Sequence, residues 1–184
     1  PEETKEICLA GMAYGLIPKI HANQLHLSGG VQAAVELGAL SADHLETMDE
    51  AAIRVLADSD TIGTLLPTAA YFLRMPFQPA RQLIEAGCAI ALASDFNPGS
   101  SPSGNMNIVV SMACIQMKML PEEAINAATT NGAWAMGLQE ELGTIAVGKK
   151  ASLILTKPVP SLAYLPYAFG TDHIDRVMIS GEWV

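Results

Sequence analysis

Basic residues are scarce in this 184-residue chain, with ten Lys and Arg against nineteen Asp and Glu and a net charge of -9. The ten are scattered rather than clustered, which argues against nucleic acid and anionic membrane surfaces as partners. Cysteine is limited to Cys8, Cys88 and Cys114, each alone in apolar surroundings. Their odd number and lack of metal-type spacing point to reduced core thiols in a cytoplasmic protein. No apolar run is long enough to cross a bilayer, and no signal peptide is recognisable. An initiator Met is missing too. The chain opens Pro1-Glu-Glu-Thr, and Glu2 to Gly15 already reads as a helix; the expectation is a stretch from the middle of a longer protein.

What is present is apolar. Half the residues are hydrophobic and 16% are charged, so the chain can bury a sizeable core. Apolar runs bounded by turn residues predict strands over residues 16–22, 39–45, 61–67 and 88–94. Helices are expected over 31–37, 48–56 and 79–86 between them, with a loop through Pro76 and Pro79. This alternation is the pattern of consecutive parallel βα units. Helices over 106–119 and 121–136 follow, the second opened by Pro121-Glu-Glu. Near residue 140 the character changes to short β-type runs around turns. A hairpin is expected over 173–184, turning at Ser180-Gly181. The predicted division is 1–140 and 141–184.

Three ionisable residues fall at predicted strand ends: His21, His44 and Asp95. Parallel strands would project all three from one rim, where imidazole and carboxylate can bind a divalent metal and move protons. A strand-end Asp before Asn97-Pro-Gly99 also suits a simple turn cap. Asp43 and Glu46 flank His44 and are read as pointing away from it, as solvated groups or at most as supports behind it. His26 and His173 carry less weight, and the methionines of 106–119 suit core packing.

Lys19-Ile-His-Ala22, Ser41-Ala-Asp-His-Leu45 and Ser94-Asp-Phe-Asn-Pro-Gly-Ser-Ser-Pro102 resemble the imidazolonepropionase family, amidohydrolase-superfamily enzymes of histidine degradation. Gly143-Thr-Ile-Ala-Val-Gly-Lys-Lys-Ala-Ser-Leu153 is similar to the superfamily's return into a β-sandwich. The resemblance covers essentially the whole chain, as the C-terminal half of such an enzyme. It implies an α/β fold: about four βα units of a (β/α)8 TIM barrel followed by part of a β-sandwich. It also implies hydrolysis of the ring amide of 4-imidazolone-5-propanoate, a small-molecule substrate, to N-formimino-L-glutamate. By the same resemblance His21 is a metal ligand from the fifth barrel strand. Asp95 is the ligand from the eighth and can accept a proton from water. His44, on the sixth, stabilises an oxyanion or passes a proton. Asn97, Gly99 and Ser100 match substrate-holding positions, the turn suiting a propionate carboxylate.

Two departures stand out. Gln24 occupies a position where the family often has Glu; it can orient a ring but cannot take a proton. The family's first-strand His-x-His metal pair is absent from these residues. One divalent metal, zinc or iron, is therefore expected to bind weakly or not at all to this chain alone, which is expected to be inactive. Four strands cannot close an eight-stranded barrel, so a homodimer or association through an exposed barrel edge is expected. Two alternatives stay open: another cyclic amidase or deaminase of the superfamily, and a non-catalytic half-domain needing a partner chain.

Overall fold

A computed structural model describes residues 1–184. After helix α1 (Glu2–Met12), the chain runs β1 (Lys19–Ala22), α2 (Gly30–Glu36), β2 (Ser41–His44), α3 (Glu50–Ala57), β3 (Ile62–Leu65), α4 (Pro67–Phe72), α5 (Ala80–Glu85) and β4 (Ile90–Leu92). The four strands form one parallel sheet in chain order, with His21 opposite Asp43, Ala22 opposite His44, and His44 opposite Leu65. This is the expected βα succession. One element departs from it. The stretch expected as loop after the third strand begins with α4, because Pro67 stands at a first-turn position where its missing N–H costs nothing.

Alternation sorts the strands into two faces. Ile20, Ala22, Ala42, Leu65, Ile90 and Leu92 enter one core with Val31 and Ala34 of α2 and Leu56 of α3. The opposite face carries Lys19, His21, Ser41, Asp43 and Thr64. This inner face is partly covered by later helices: α6 (Met106–Ile115), α7 (Pro121–Ala128) and α8 (Thr130–Ala135) follow the sheet. Ala135 packs with Ile62 and Ala91, and Asn131 Nδ2 donates to the Ile90 carbonyl at 2.8 Å. The helix expected over 121–136 is thus two. At the break, Thr129 has φ -121 and ψ -80, and its hydroxyl donates to the Ile125 carbonyl at 2.7 Å, a bond that bends a helix.

Residues 137–152 hold no strand, so the β-type runs expected from 143 reduce to β5 (Leu153–Thr156). After α9 (Tyr164–Tyr167), β6 (Ile174–Ile179) and β7 (Glu182–Trp183) complete a three-stranded antiparallel sheet in the order β5-β6-β7. The hairpin turns on Ser180 (φ +51) and Gly181 (φ +93), the paired left-handed backbone of a tight two-residue turn. Arg176 lies 4.1 Å above the Trp183 ring. No helix is long and apolar enough to cross a membrane. The parallel sheet ends in two unpaired edges, β1 and β4. It is an arc of a barrel, matching the expected fold class.

Candidate active site

The polar inner face leads to one small cavity of about 310 Å³ at the strand ends. His21, Asp43, His44, Thr64 and Asp95 line it, so the three strand-end residues singled out from the sequence do converge. The two imidazoles nearly stack, with centroids 4.1 Å apart and planes tilted by 41°.

His44 reaches this cavity by an irregular route. Strand alternation assigns it to the helix-packed face, opposite Ala22. Instead its φ is +89, and Leu45 follows at +65. Two consecutive left-handed residues turn the chain, sending Leu45 fully into the core and His44 toward His21. The turn is tied to the neighbouring loop. Leu45 N–H donates to the Ala22 carbonyl at 3.2 Å, and Thr47 N–H donates to Asn23 at 2.9 Å. The Thr47 hydroxyl reaches the Gln24 carbonyl at 3.3 Å. Gln24 itself is half-buried in that loop and does not line the cavity.

Asp95 follows β4 by three residues and also has a left-handed backbone, φ +51. The turn after it is built on Asn97. The Asn97 amide donates to the Asp95 carbonyl and to Ser100 Oγ, both at 2.7 Å. Its Oδ1 accepts the N–H groups of Gly99 at 2.9 Å and Ser100 at 2.8 Å. Ser100 Oγ then donates to Asp95 Oδ2 at 3.1 Å. Ser101 and Thr68 hydroxyls hold the Ser94 carbonyl at 2.6 and 2.8 Å. Asn97, Gly99 and Ser100 therefore form a scaffold around Asp95 and stand outside the cavity lining.

Electrostatics set the state of His21. It is solvent-accessible overall, yet enough of its ring is packed that desolvation lowers its pKa. Nearby His44 lowers it further, against the opposing pull of Glu46, Asp95 and Asp43. At neutral pH His21 is a neutral imidazole, with a lone pair to offer. Below it runs a polar line: Lys19 Nζ donates to Ser41 Oγ at 2.7 Å and to the Ala135 carbonyl at 2.8 Å. Ser41 Oγ donates in turn to Asp43 Oδ1 at 2.6 Å.

Two residues behind His44 matter more than the sequence suggests. Glu46, read there as solvated or at most a support for His44, is buried with Oε1 3.4 Å from His44 Nδ1. Lying two residues on, it belongs by alternation to the same side of the strand as His44 and not away from it. Gln78, between two prolines and without any signal of its own, donates to the same Oε1 at 2.9 Å. Of the remaining histidines, His26 is exposed. His173 is buried in the C-terminal part, its Nε2 3.0 Å from the Ala168 carbonyl. A larger cavity of about 710 Å³, between the inner face and residues 142–154, is lined by no His, Cys, Asp or Glu. The ionisable side chains converge on the smaller one.

The donors fit a divalent metal in type but not in number. His21 and Asp95 offer an imidazole nitrogen and a carboxylate oxygen, the pair that zinc and iron accept. No three of the His, Cys, Asp and Glu side chains group as a metal cage, whereas a catalytic zinc takes three protein ligands.

Comparison with known proteins agrees with this partial character. The profile of the Amidohydrolase family matches residues 1–184. Imidazolonepropionase of Flavobacterium johnsoniae is 56% identical over 181 residues, covering 98% of this chain and 44% of that protein. Imidazolonepropionase of Christiangramia forsetii is 53% identical over 183 residues, covering 100% and 44%. The chain thus spans less than half the length of these curated relatives. Among solved structures, an adenosine deaminase from Xanthomonas campestris with bound zinc superposes with a TM-score of 0.81 at 22% identity, over 98% of this chain and 48% of that one. A mutant atrazine chlorohydrolase from Arthrobacter aurescens, complexed with zinc and atraton, gives 0.82 at 16% identity, over 100% and 47%. At such identities the likeness is one of fold.

Proposed function

The chain belongs to the amidohydrolase family, and from that premise we propose that it carries the C-terminal part of an imidazolonepropionase active site. The whole enzyme would add water across the ring amide of 4-imidazolone-5-propanoate, breaking the C–N bond to give N-formimino-L-glutamate. The observation that carries this is the convergence of His21, His44 and Asp95 on one cavity beside the Asp-Phe-Asn-Pro-Gly-Ser turn. The 50–56% identity to three imidazolonepropionases supports it. In this reading residues 1–140 are the barrel part and 141–184 belong to a β-sandwich.

His21 and Asp95 would hold one divalent ion, zinc or iron, with further donors from outside this chain. Such an ion supplies Lewis acidity toward the carbonyl and makes a bound water more acidic. The chain's own groups handle protons and position. Asp95, steadied by Ser100 and the Asn97 turn, accepts a proton from the attacking water. His44 stabilises the oxyanion or passes a proton toward the departing nitrogen. Gln24 orients the substrate ring from the adjacent loop. The substrate propionate docks at the turn, replacing Asn97 Oδ1 on the N–H groups of Gly99 and Ser100. A carboxylate is the stronger acceptor for those donors. The unpaired β1 and β4 edges are where the rest of a barrel, or a second chain, would pair. The site would operate in the cytoplasm, in keeping with three free thiols.

The test is turnover by the complete gene product, followed as loss of imidazolone absorbance. His21→Ala and Asp95→Asn should each lower metal content and abolish turnover. Full activity in a metal-loaded Asp95→Asn variant would refute the assignment. So would turnover of an aminated purine or pyrimidine with none of the imidazolone.

A further inference from the structure

Beside His44 the fold buries a carboxylate that the proposed chemistry leaves unused. The Glu46 side chain is 1% exposed, and its Oε1 stands 3.4 Å from His44 Nδ1. Gln78, itself 1% exposed, donates its amide to that oxygen at 2.9 Å. Glu46 Oε2 and Gln78 Oε1 have no hydrogen-bond partner at all. Neither Lys nor Arg pairs with Glu46; its side-chain contacts are His44 and Gln78. A buried carboxylate without a Lys or Arg partner is expensive, and a leucine would fill the same space at less cost. Packing therefore does not account for it.

We infer that Glu46, held in place by Gln78, is a positioning residue for His44. Oε1 accepts the Gln78 amide, as a carboxylate oxygen does, and imidazole is a stronger base than carboxylate, so the hydrogen in the His44–Glu46 contact sits on Nδ1. With Nδ1–H committed to Glu46, Nε2 is left for the cavity without a hydrogen. Neither partner can drift. The backbone bonds of Leu45 and Thr47 pin the loop on both sides of Glu46, and the strained His44 backbone fixes the ring beside His21. An unsupported imidazole would populate both tautomers and rotate. Building on the functional assignment above, this makes His44 a proton acceptor at Nε2 rather than a neutral donor to an oxyanion.

The test compares Glu46→Gln and Glu46→Leu in the complete, metal-loaded gene product. Glutamine can keep a carbonyl oxygen at the Oε1 position and so both contacts, whereas leucine fills the volume and removes the acceptor. In the parent, 15N resonances of the His44 ring should show Nδ1 protonated and Nε2 bare. In Glu46→Leu the two forms should mix and kcat should fall roughly ten- to a hundredfold, with KM within about threefold and metal content unchanged. Glu46→Gln should stay within about threefold of the parent. A parent proton on Nε2 would overturn the inference, as would unaltered kcat in Glu46→Leu or an equal loss in Glu46→Gln. If Glu46→Leu does not fold, Gln78→Leu takes its place. It frees the carboxylate to leave His44, and the same tautomer readout decides. His44→Gln separates the two levels: full turnover there removes His44 from the reaction, while the parent's ring spectrum, compared with that of Glu46→Leu, still reports on Glu46.

Discussion

Gly63 is the residue where added bulk should most directly disturb the candidate site. It lies on the helix-packed face of β3, opposite Ala42 on one side and Ile90 on the other. A Cβ built there would stand 3.0 Å from Leu45 Cδ1 and 3.2 Å from Ile90 Cδ1 and Leu56 Cδ2. All three neighbours are buried, two of them completely. Interiors packed at crystal-like density leave such groups little space to retreat. Leu45 is the least able to move, since its left-handed backbone is held between His44 and the buried Glu46.

Two effects compete in Gly63→Ala. Restricting the unfolded chain favours the variant by roughly 0.5–1 kcal/mol. Overpacking costs roughly 1–3 kcal/mol. With three methyls too close and none free to yield, the cost wins, for a net loss of about 1–2 kcal/mol. In urea, a slope of 2–3 kcal/mol/M converts that to a midpoint lower by about 0.3–1 M. Ile90→Val removes one of the crowding methyls, so Gly63→Ala should cost less in that background, with a coupling of about 0.5 kcal/mol or more. Turnover per folded molecule should also drop, because Leu45 transmits the push to His44. An unchanged or raised midpoint, or strict additivity with Ile90→Val, would refute this account of the packing.

Three further outcomes are expected. Asn97→Ala removes four hydrogen bonds of the turn; stability should fall by roughly 1–3 kcal/mol and metal affinity with it, measured by denaturation and metal titration. Asp49→Ala deletes the cap of α3, whose Oδ1 accepts the Ala52 N–H at 2.8 Å, and should cost about 1 kcal/mol in a urea titration. The Glu123 carboxyl is held below its ordinary pKa by the Arg81 guanidinium, at 2.9 and 3.1 Å, and by the Leu120 N–H. A depressed carboxyl stabilises the fold above its unfolded pKa and loses that contribution as pH falls through the folded value. Glu123→Gln should thus be less stable at neutral pH by no more than about 1 kcal/mol, the gap closing below about pH 4. A gap that persists at pH 3 would contradict this.

The parallel half of the molecule was legible because both of its signals are local. Apolar strand runs and glycine or proline punctuation mark the βα units, and Ser94 to Pro102 carries its turn chemistry in its own residues. The misses have physical causes. Pro76 and Pro79 suggested loop, but Pro67 opens α4 at a position proline tolerates. One amphipathic run over 121–136 hid a break made by a single Thr129 hydroxyl. The β-type composition after residue 143 yields one strand before Thr156, because residues 137–152 spend their backbone in turns.

The least legible part of the site is the turn that carries His44 and Glu46, and the cause bears on how the site is built. Alternation along a strand assumes extended backbone, and it fails where the backbone turns left-handed. Asn23, His44, Leu45 and Asp95 all do so, with φ between +51 and +89, and each lies within three residues of a strand end at the cavity. Such conformations cost about 1–3 kcal/mol each, so they persist only where the surroundings over-determine them. Here they are over-determined. Leu45 and Thr47 bond back to Ala22 and Asn23, the Asn97 amide holds the Asp95 carbonyl, and two hydroxyls grip Ser94. A regular strand end would have sent His44, and with it Glu46 two residues on, toward the helix-packed core. The bent one brings the imidazole to the cavity and a carboxylate to its other nitrogen. The irregularity that defeats a period-two reading is therefore the device that assembles the site.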